Sequence, residues 1–277
     1  MTVSVPDYFR TGRAPRPPLV TTLFDYAATL NGISPDDLIA DPAGITRAML
    51  EMHRLFQTDV VTVKLSRPIK MAAGIDPDAD TTKVPLPDVP APETVMPAVA
   101  PLIDAVTRLA SELKRKTPIL AVIPGPASLF GDLQHVDLPA VATLLRALGS
   151  AACEAGASLL LIDEVDGQAS TLRFAQAAAQ AVNTARYYTA KVIVAGDSAA
   201  PKALADGLLL PAGLSPPAAA GQRIGFRLTL EQCEKAEMHL AASSGRAGFI
   251  SIDDAAVAAE PVETVLALFE QLRALSA

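Results

Sequence analysis

The chain has 277 residues, 50% of them hydrophobic, which is enough to bury a large core in one barrel-sized domain or in two ordinary domains. Its net charge of −7 and the lack of a basic stripe argue against nucleic acid as the main partner, and an anionic membrane surface would repel it. Residues 1–18 are polar and rich in Pro and Arg, without the apolar core of a signal peptide, so we expect a cytoplasmic protein.

Short apolar runs alternate with longer amphipathic stretches along the chain, which is typical of βα units and a parallel sheet. Eight runs have strand character: Leu19–Leu23, Asp59–Lys64, Pro118–Val122, Ser158–Ile162, Lys191–Ala195, Leu208–Leu210, Arg223–Leu228 and Gly248–Ile252. No Gly-x-Gly-x-x-Gly follows the first run, which argues against a dinucleotide-binding open sheet. The sequence therefore predicts a single (β/α)₈ TIM barrel over residues 19–277, preceded by an N-terminal extension over residues 1–18.

Capping signals predict where several helices begin. Ser34 and Asp41 each precede a proline, as N-caps often do, and the helix that follows Asp41 should run to Phe56. Further helices are predicted over Ala98–Lys116, Asp137–Gly156, Thr171–Ala190, Thr229–Ser243 and Pro261–Leu275. Seven prolines between Asp76 and Pro101 predict a long loop over one face of the fold, a candidate lid.

A series of short segments carries a family pattern in the right order and spacing: Arg16–Val20, Tyr26–Ser34, Asp41–Pro42, Thr58–Val61, Ile123–Leu129, Glu154–Ser158, Leu161–Gly167, Ala195–Asp197, Gly248–Ile250 and Pro261–Leu268. Together they resemble the uroporphyrinogen decarboxylase superfamily, which includes tetrapyrrole decarboxylases and zinc- and corrinoid-linked methyltransferases. The N-terminal segments resemble the methyltransferase branch. The resemblance implies a barrel fold, and it implies either a homodimer or a corrinoid-protein partner.

The resemblance also implies metal ligands that this chain lacks. In the methyltransferase branch a His-x-Cys pair ends the fifth strand and a Cys follows the eighth, and these residues bind zinc. The corresponding positions here hold Ile193 and Ala195, and then Asp253 and Asp254. Ile and Ala cannot ligate a metal, so zinc is not expected. The Arg-rich motif of the decarboxylase branch is also replaced, by Thr22–Tyr26.

Polar residues that follow the predicted strands are the candidate site residues, because barrel chemistry lies on the loops after the carboxyl ends of the strands. Five are catalytic candidates, since carboxylates and phenols exchange protons: Asp25, Tyr26, Asp163, Glu164 and Asp253. Seven are substrate-binding candidates by charge or hydrogen-bonding capacity: Lys64, Arg67, Ser128, His135, Asp197, Arg227 and Asp254. An Asp or Ser after a strand can alternatively be a helix cap.

Three functions stay open at this point. The first is a zinc-free enzyme of one-carbon or methyl transfer that acts on a small molecule, with a corrinoid or folate partner. The second is a cofactor-free decarboxylase, a lyase, in which Lys64, Arg67 or Arg227 seats the departing carboxylate of a small molecule or tetrapyrrole. The third is a non-catalytic barrel that binds a partner subunit or a small molecule. A mouth rich in carboxylates would repel a polycarboxylate porphyrin, which disfavours true uroporphyrinogen decarboxylation.

Overall fold

A computed structural model describes residues 3–77, 88–131, 133–164, 171–196, 204–211, 222–233, 236, 248–252 and 254–275. Within these residues seven parallel strands form one sheet in sequential order. The strands are β1 (Val61–Lys64), β2 (Ile119–Pro124), β3 (Leu159–Asp163), β4 (Lys191–Ala195), β5 (Gly207–Pro211), β6 (Arg223–Leu228) and β7 (Phe249–Ile252). Sequential parallel order requires every connection to cross back over one face of the sheet, as the alternation of strands and helices predicted.

Helices fill the connections that the structure describes. They are α1 (Val5–Thr11), α2 (Phe24–Leu30), α3 (Pro35–Ala40), α4 (Pro42–Phe56), α5 (Ser66–Ala72), α6 (Pro92–Glu112), α7 (Pro126–Phe130), α8 (Leu138–Ala155), α9 (Leu172–Tyr187), α10 (Leu230–Cys233), α11 (Asp254–Val257) and α12 (Val262–Ala274). A 3₁₀ turn spans Leu133–His135. None of the helices in the described ranges is both long and apolar enough to cross a membrane.

Both faces of the sheet are apolar, because successive side chains of a strand point to opposite faces. In β3, Leu160 and Ile162 join a large outer core with the helices. The alternate residues, Leu159 and Leu161, join a separate inner core with side chains from β2, β4, β5 and β7. The sheet therefore curves around an inner core of its own, as a half-barrel flanked by helices.

Residues from the predicted N-terminal extension fill part of the inner core. The ring of Phe249 lies 6.5 Å from the ring of Tyr8 and 5.4 Å from the ring of Phe9, both on α1. Two glycines leave the space that these rings occupy. A Cβ at Gly207 would lie 2.6 Å from the ring of Phe9, and one at Gly225 would collide with the ring of Phe249. The aromatic cluster closes the inner core at this position.

The predicted first strand, Leu19–Leu23, forms only an isolated parallel bridge between Leu19 and Ile250. Side-chain hydrogen bonds add to the few backbone bonds of this segment. The Leu19 N–H donates to Asp59 Oδ2 at 2.8 Å, and Thr62 Oγ1 donates to the Thr21 carbonyl at 2.5 Å. Because the segment makes only this one bridge, the described sheet has seven strands where the sequence predicts eight.

The predicted loop over residues 76–101 is wrong in its second half, since α6 already begins at Pro92 and contains Pro97 and Pro101. The buried residues of this helix recur every three or four positions, from Val95 to Leu109, and they pack against the outer core. Pro97 is exposed, so the carbonyl that loses its intrahelical bond faces solvent. Burial of the apolar stripe therefore outweighs the two prolines. Residues 78–87 of the predicted loop lie outside the described residues.

The two predicted caps, Ser34 and Asp41, are confirmed. Ser34 Oγ accepts a hydrogen bond from the Asp37 N–H at 3.1 Å, and Asp41 Oδ1 accepts one from the Ala43 N–H at 3.0 Å. Asp137 caps α8, and Gly156 ends it in the left-handed region, with φ of 117°. These local signals fix the helix boundaries to within a residue of the sequence prediction.

A buried ion pair anchors the segment before α2 to the start of β1. The Arg16 guanidinium donates to both oxygens of Asp59, at 2.6 and 2.9 Å, and the two side chains are only 10% and 4% exposed. The same carboxylate also accepts the Leu19 N–H. Loss of either partner would leave a buried charge without compensation.

We expect Asp59→Ala to lower the free energy of unfolding by about 3–5 kcal/mol, because Arg16 would remain buried and unpaired. Urea denaturation measures the loss. The matched control is Asp104→Ala, which breaks an exposed pair with Arg108 on α6 and should cost less than about 1 kcal/mol. Equal losses in the two variants would contradict the anchoring role of Asp59.

Candidate functional site

Charged side chains meet at the carboxyl end of the inner face of the sheet. Lys64 ends β1 in register with Val122, and Asp163 ends β3 in register with Ala195. Both register partners belong to the inner core, so the two charged side chains point to the same side. Arg227 on β6 joins them from across the sheet, through its contact with Asp163. Apolar residues of the inner core therefore form the floor beneath an ionic layer.

Lys64 forms the centre of this layer. Its Nζ lies 2.7 Å from Asp25 Oδ2 and 3.9 Å from Asp254 Oδ2. Burial alone would lower the pKa of Lys64, but the charges of Asp25, Asp254 and Asp163 outweigh burial and the pKa is raised. Lys64 therefore stays protonated beside Asp25 and Asp254, and the charge of Asp163 also acts on it. These residues are called the Lys64 cluster below.

Asp254 is the buried member of the Lys64 cluster. Its side chain is 3% exposed, and its oxygens accept the backbone N–H groups of Asp25 and Tyr26 at 2.8 and 3.0 Å. It thereby caps the first turn of α2. Burial, and then the charge of Asp25, raises the pKa of Asp254 to about 7, against the lowering effects of Lys64 and the two N–H donors. The Lys64 cluster therefore changes protonation near neutral pH.

Asp163 and Arg227 form the second ion pair, with Arg227 Nη2 2.7 Å from Asp163 Oδ1. The side chains of Asp25 and Asp163 are about a third exposed, at 35% and 33%. The second oxygen of each carboxylate, Asp25 Oδ1 and Asp163 Oδ2, accepts no hydrogen bond from any described residue. Two accessible acceptors are thus held in place by two cations at the end of the sheet that carries the Lys64 cluster.

Glu164 and Ser128 lie beside the Lys64 cluster but serve the helix that follows β2. Glu164 is buried, and its carboxylate accepts the N–H groups of Ala127 and Ser128 at 3.0 and 2.8 Å. Ser128 Oγ donates to the Asp163 carbonyl at 2.8 Å. Gly125 makes this arrangement possible, since a Cβ there would lie 2.6 Å from Glu164 Cδ. These contacts favour a capping role for the predicted catalytic Glu164.

Three further candidates point away from the Lys64 cluster. The ring of Tyr26 packs on Phe56, and its hydroxyl donates to the Glu260 carbonyl at 3.1 Å. Arg67 pairs with Asp36 on α3, at 2.6 Å. His135 is exposed on the 3₁₀ turn, and it makes no hydrogen bond or ion pair with any residue in the described ranges. The candidates Asp197 and Asp253 lie outside the described residues.

Ser251 is a site residue that the sequence analysis missed. It is fully buried and its Oγ has no partner among the described residues. It stands two positions after Phe249 and in register with Arg227, so it lies on the inner face beside Arg227. The signal was a hydroxyl at an inward position of an otherwise apolar strand, which period-two counting along β7 would have found.

The residues present do not fit the zinc of the methyltransferase branch. Ile193 and Ala195 are buried in the inner core and offer no donor atom. No group of three His, Cys, Asp or Glu side chains within the described ranges is arranged to hold a metal ion.

Comparison with known proteins identifies the fold but no family. No protein-family model and no curated protein sequence matches the chain. Among solved structures the chain is similar to a methyltransferase from Methanosarcina mazei, with a TM-score of 0.65, 14% identity and coverage of 94% of both chains. A mutant tryptophan synthase α-subunit from Pyrococcus furiosus aligns with a TM-score of 0.40 and 14% identity over 76% of this chain and 94% of that one, which is too distant to carry an argument. The first likeness shows a shared α/β fold over nearly the whole length.

Asp254→Asn should remove a pH-dependent part of the stability. The pKa of Asp254 is raised from 3.8 to about 7 in the folded protein, so its ionisation opposes folding. The free energy of unfolding of the wild type should therefore fall, relative to the variant, as pH rises from about 4 to about 7, by up to about 1.4 kcal/mol per pH unit. The neutral amide oxygen still accepts an N–H at the start of α2. Urea denaturation at several pH values measures this difference.

Asp36→Asn is the control of opposite sign. The hydrogen bond from Arg67 lowers the pKa of Asp36, so the wild type should gain stability relative to this variant as pH rises through the acidic range. A difference at Asp254 that does not change with pH would contradict the burial of its charge.

Gly125→Ala should destabilise the protein by about 1–3 kcal/mol, because the new methyl group would displace Glu164 from its cap. The matched control is Gly149→Ala in α8, whose Cβ would meet Leu160 and Ala181 at ordinary distances of 3.6 and 3.7 Å. That change should be neutral or gain up to about 1 kcal/mol from helix propensity. Thermal and urea unfolding measure both, and a neutral Gly125→Ala would show that Glu164 is free to move.

Proposed function

We propose that the chain is a zinc-free enzyme that binds a small polar molecule at the Lys64 cluster and transfers a one-carbon unit, such as a methyl group. The observation that carries the proposal is the pair of accessible acceptors, Asp25 Oδ1 and Asp163 Oδ2, each on a carboxylate held by a cation. Acceptors of this kind suit the N–H groups of an amine or of an amidine-like ring.

A closed (β/α)₈ barrel is part of this proposal. The segment before α2 bonds to the edge strand β7 and to the residues just ahead of β1: the Val20 N–H donates to the Ile250 carbonyl at 2.7 Å, and the Asp59 N–H donates to the Leu19 carbonyl at 3.3 Å. The separate inner core also supports closure, since an open sheet has no enclosed face of its own. In a closed barrel the Lys64 cluster would occupy the mouth where barrel enzymes hold their substrates.

The Lys64 cluster supplies an acid–base function that one-carbon transfer requires. A bond forms between the acceptor atom and the one-carbon unit while the bond to the donor breaks, and the acceptor loses its proton. Asp25 is the accessible carboxylate that can receive this proton from a bound acceptor. Asp254 lies behind it with a pKa of about 7, so Asp254 exchanges its proton near neutral pH.

A corrinoid or a folate would supply the one-carbon unit when bound. The carboxylates of Asp25 and Asp163 suit the N–H donors of a pterin ring, and the resemblance to corrinoid-linked methyltransferases favours a corrinoid carried by a partner protein. The Methanosarcina mazei protein of the same fold is named a methyltransferase, which agrees with this proposal.

The test is a thermal-shift screen of the purified protein against methylcobalamin, methyltetrahydrofolate and uroporphyrin. A ligand at a hundred times its dissociation constant adds about 2.7 kcal/mol to stability and raises Tm. We expect a shift with methylcobalamin or the folate. Asp25→Asn and Asp163→Asn should each reduce the shift, because an amide replaces a carboxylate that accepts ligand N–H groups.

Asp104→Asn, an exposed change on α6, is the control and should leave the shift unchanged. A flat response of the wild type to both one-carbon donors would contradict the proposal and leave a non-catalytic binding barrel as the better interpretation.

Decarboxylation is the alternative, and the exposure of Arg227 favours it. The Arg227 side chain is 28% exposed and pairs with Asp163, so a substrate carboxylate could replace Asp163 on the guanidinium. A shift with uroporphyrin, CO₂ release from its reduced form uroporphyrinogen, and loss of that release in Arg227→Gln would support this function over one-carbon transfer.

A further inference from the structure

A second groove lies at the opposite end of the sheet from the Lys64 cluster. It has a volume of about 800 Å³ and is lined by residues that directly precede β1 and β2 and by the end of α12. This volume lies in the range of small-ligand pockets. The charged residues of its lining are four cations and one carboxylate: Arg16, Arg54, Lys116, Arg273 and Asp59.

Three of the four cations have no countercharge among the residues that the structure describes. Arg16 and Asp59 neutralise each other in the buried pair described above. Arg54, Lys116 and Arg273 form no ion pair with a carboxylate in the described part of the chain. Arg273 is held at the groove by its hydrogen bond to the Phe56 carbonyl, at 2.6 Å. A concentration of unpaired positive charge is unexpected in a protein of net charge −7 and defines a local attraction for anions.

The remaining polar wall of the groove is uncharged. His53 Nδ1 lies 3.3 Å from Thr58 Oγ1, and His53 Nε2 lies 3.4 Å from Thr117 Oγ1. Burial lowers the pKa of His53, so its ring is neutral at pH 7. The attraction for an anion therefore comes from the three cations, and it does not depend on protonation of the histidine.

We propose that this groove binds a small anion with phosphate or carboxylate groups, at a site separate from the Lys64 cluster. Phosphate and carboxylate oxygens accept charge-assisted hydrogen bonds from Arg and Lys, and the groove has room for more than one such group. In parallel α/β folds chemistry lies at the carboxyl ends of the strands, so a ligand at this end is bound and not converted. The groove reaches Asp59, which lies two residues before β1, the strand that ends at Lys64.

Isothermal titration with pyrophosphate and with citrate tests the proposal in both ligand chemistries. The double variant Arg54→Gln, Lys116→Gln should weaken binding by about tenfold or more, because two of the three unpaired cations are lost. The matched control is Lys114→Gln with Arg115→Gln, which removes two exposed charges next to the groove but outside its lining. The control should keep the wild-type affinity.

Pyrophosphate binding alone would identify a phosphorylated ligand, and citrate binding alone would identify a carboxylate ligand. No heat from either anion with the wild type would overturn the proposal. An equal loss in both double variants would also overturn it, since it would assign the effect to general surface charge. The one-carbon function is tested at the other end of the sheet and does not depend on this result.

Discussion

The buried carboxylate of Asp254 is the contact on which the carboxyl end of the sheet depends. A buried charge needs partners inside the protein, and Asp254 finds them in the first N–H groups of α2 and in the ammonium of Lys64. Asp254 follows the last strand of the sheet and Lys64 ends the first, while α2 precedes both. One carboxylate therefore connects the two edges of the sheet and sets the position of Asp25.

A second buried carboxylate, that of Asp59, anchors the chain at the amino end of the sheet. Asp59 binds Arg16 and the Leu19 N–H, so residues 16–19 are fixed against the start of β1. The segment from Arg16 to Asp25 forms only one β-bridge to the sheet, between Leu19 and Ile250. Its position is nevertheless determined at both ends by side chains, and this explains how a segment without regular pairing can present Asp25 to Lys64 at 2.7 Å.

The sequence predicts the strands and capped helices well because their signals are local. The apolar runs of β2 to β7 and the caps at Ser34 and Asp41 depend on residues within a few positions. The helix through Pro97 was mispredicted, because the stripe that buries it is decided by tertiary packing. The ion pair between Asp163 and Arg227 could not be predicted from the sequence either. Sequence position placed Asp163 at a strand end, but only the register of distant strands brings Arg227 to it.

The adjacent acids Asp163 and Glu164 explain why counting charges overstates the acidity of the site. Consecutive residues at the end of a strand diverge, so Asp163 turns inward to Arg227 while Glu164 turns to the start of α7. The Lys64 cluster together with Arg227 contains two cations and three carboxylates. One of these carboxylates, Asp254, has a pKa of about 7. The described layer is therefore close to neutral. Repulsion of a carboxylated ligand, which the sequence predicts from six acidic candidates, is much weaker in the folded protein, so selectivity must come from hydrogen-bond geometry more than from net charge.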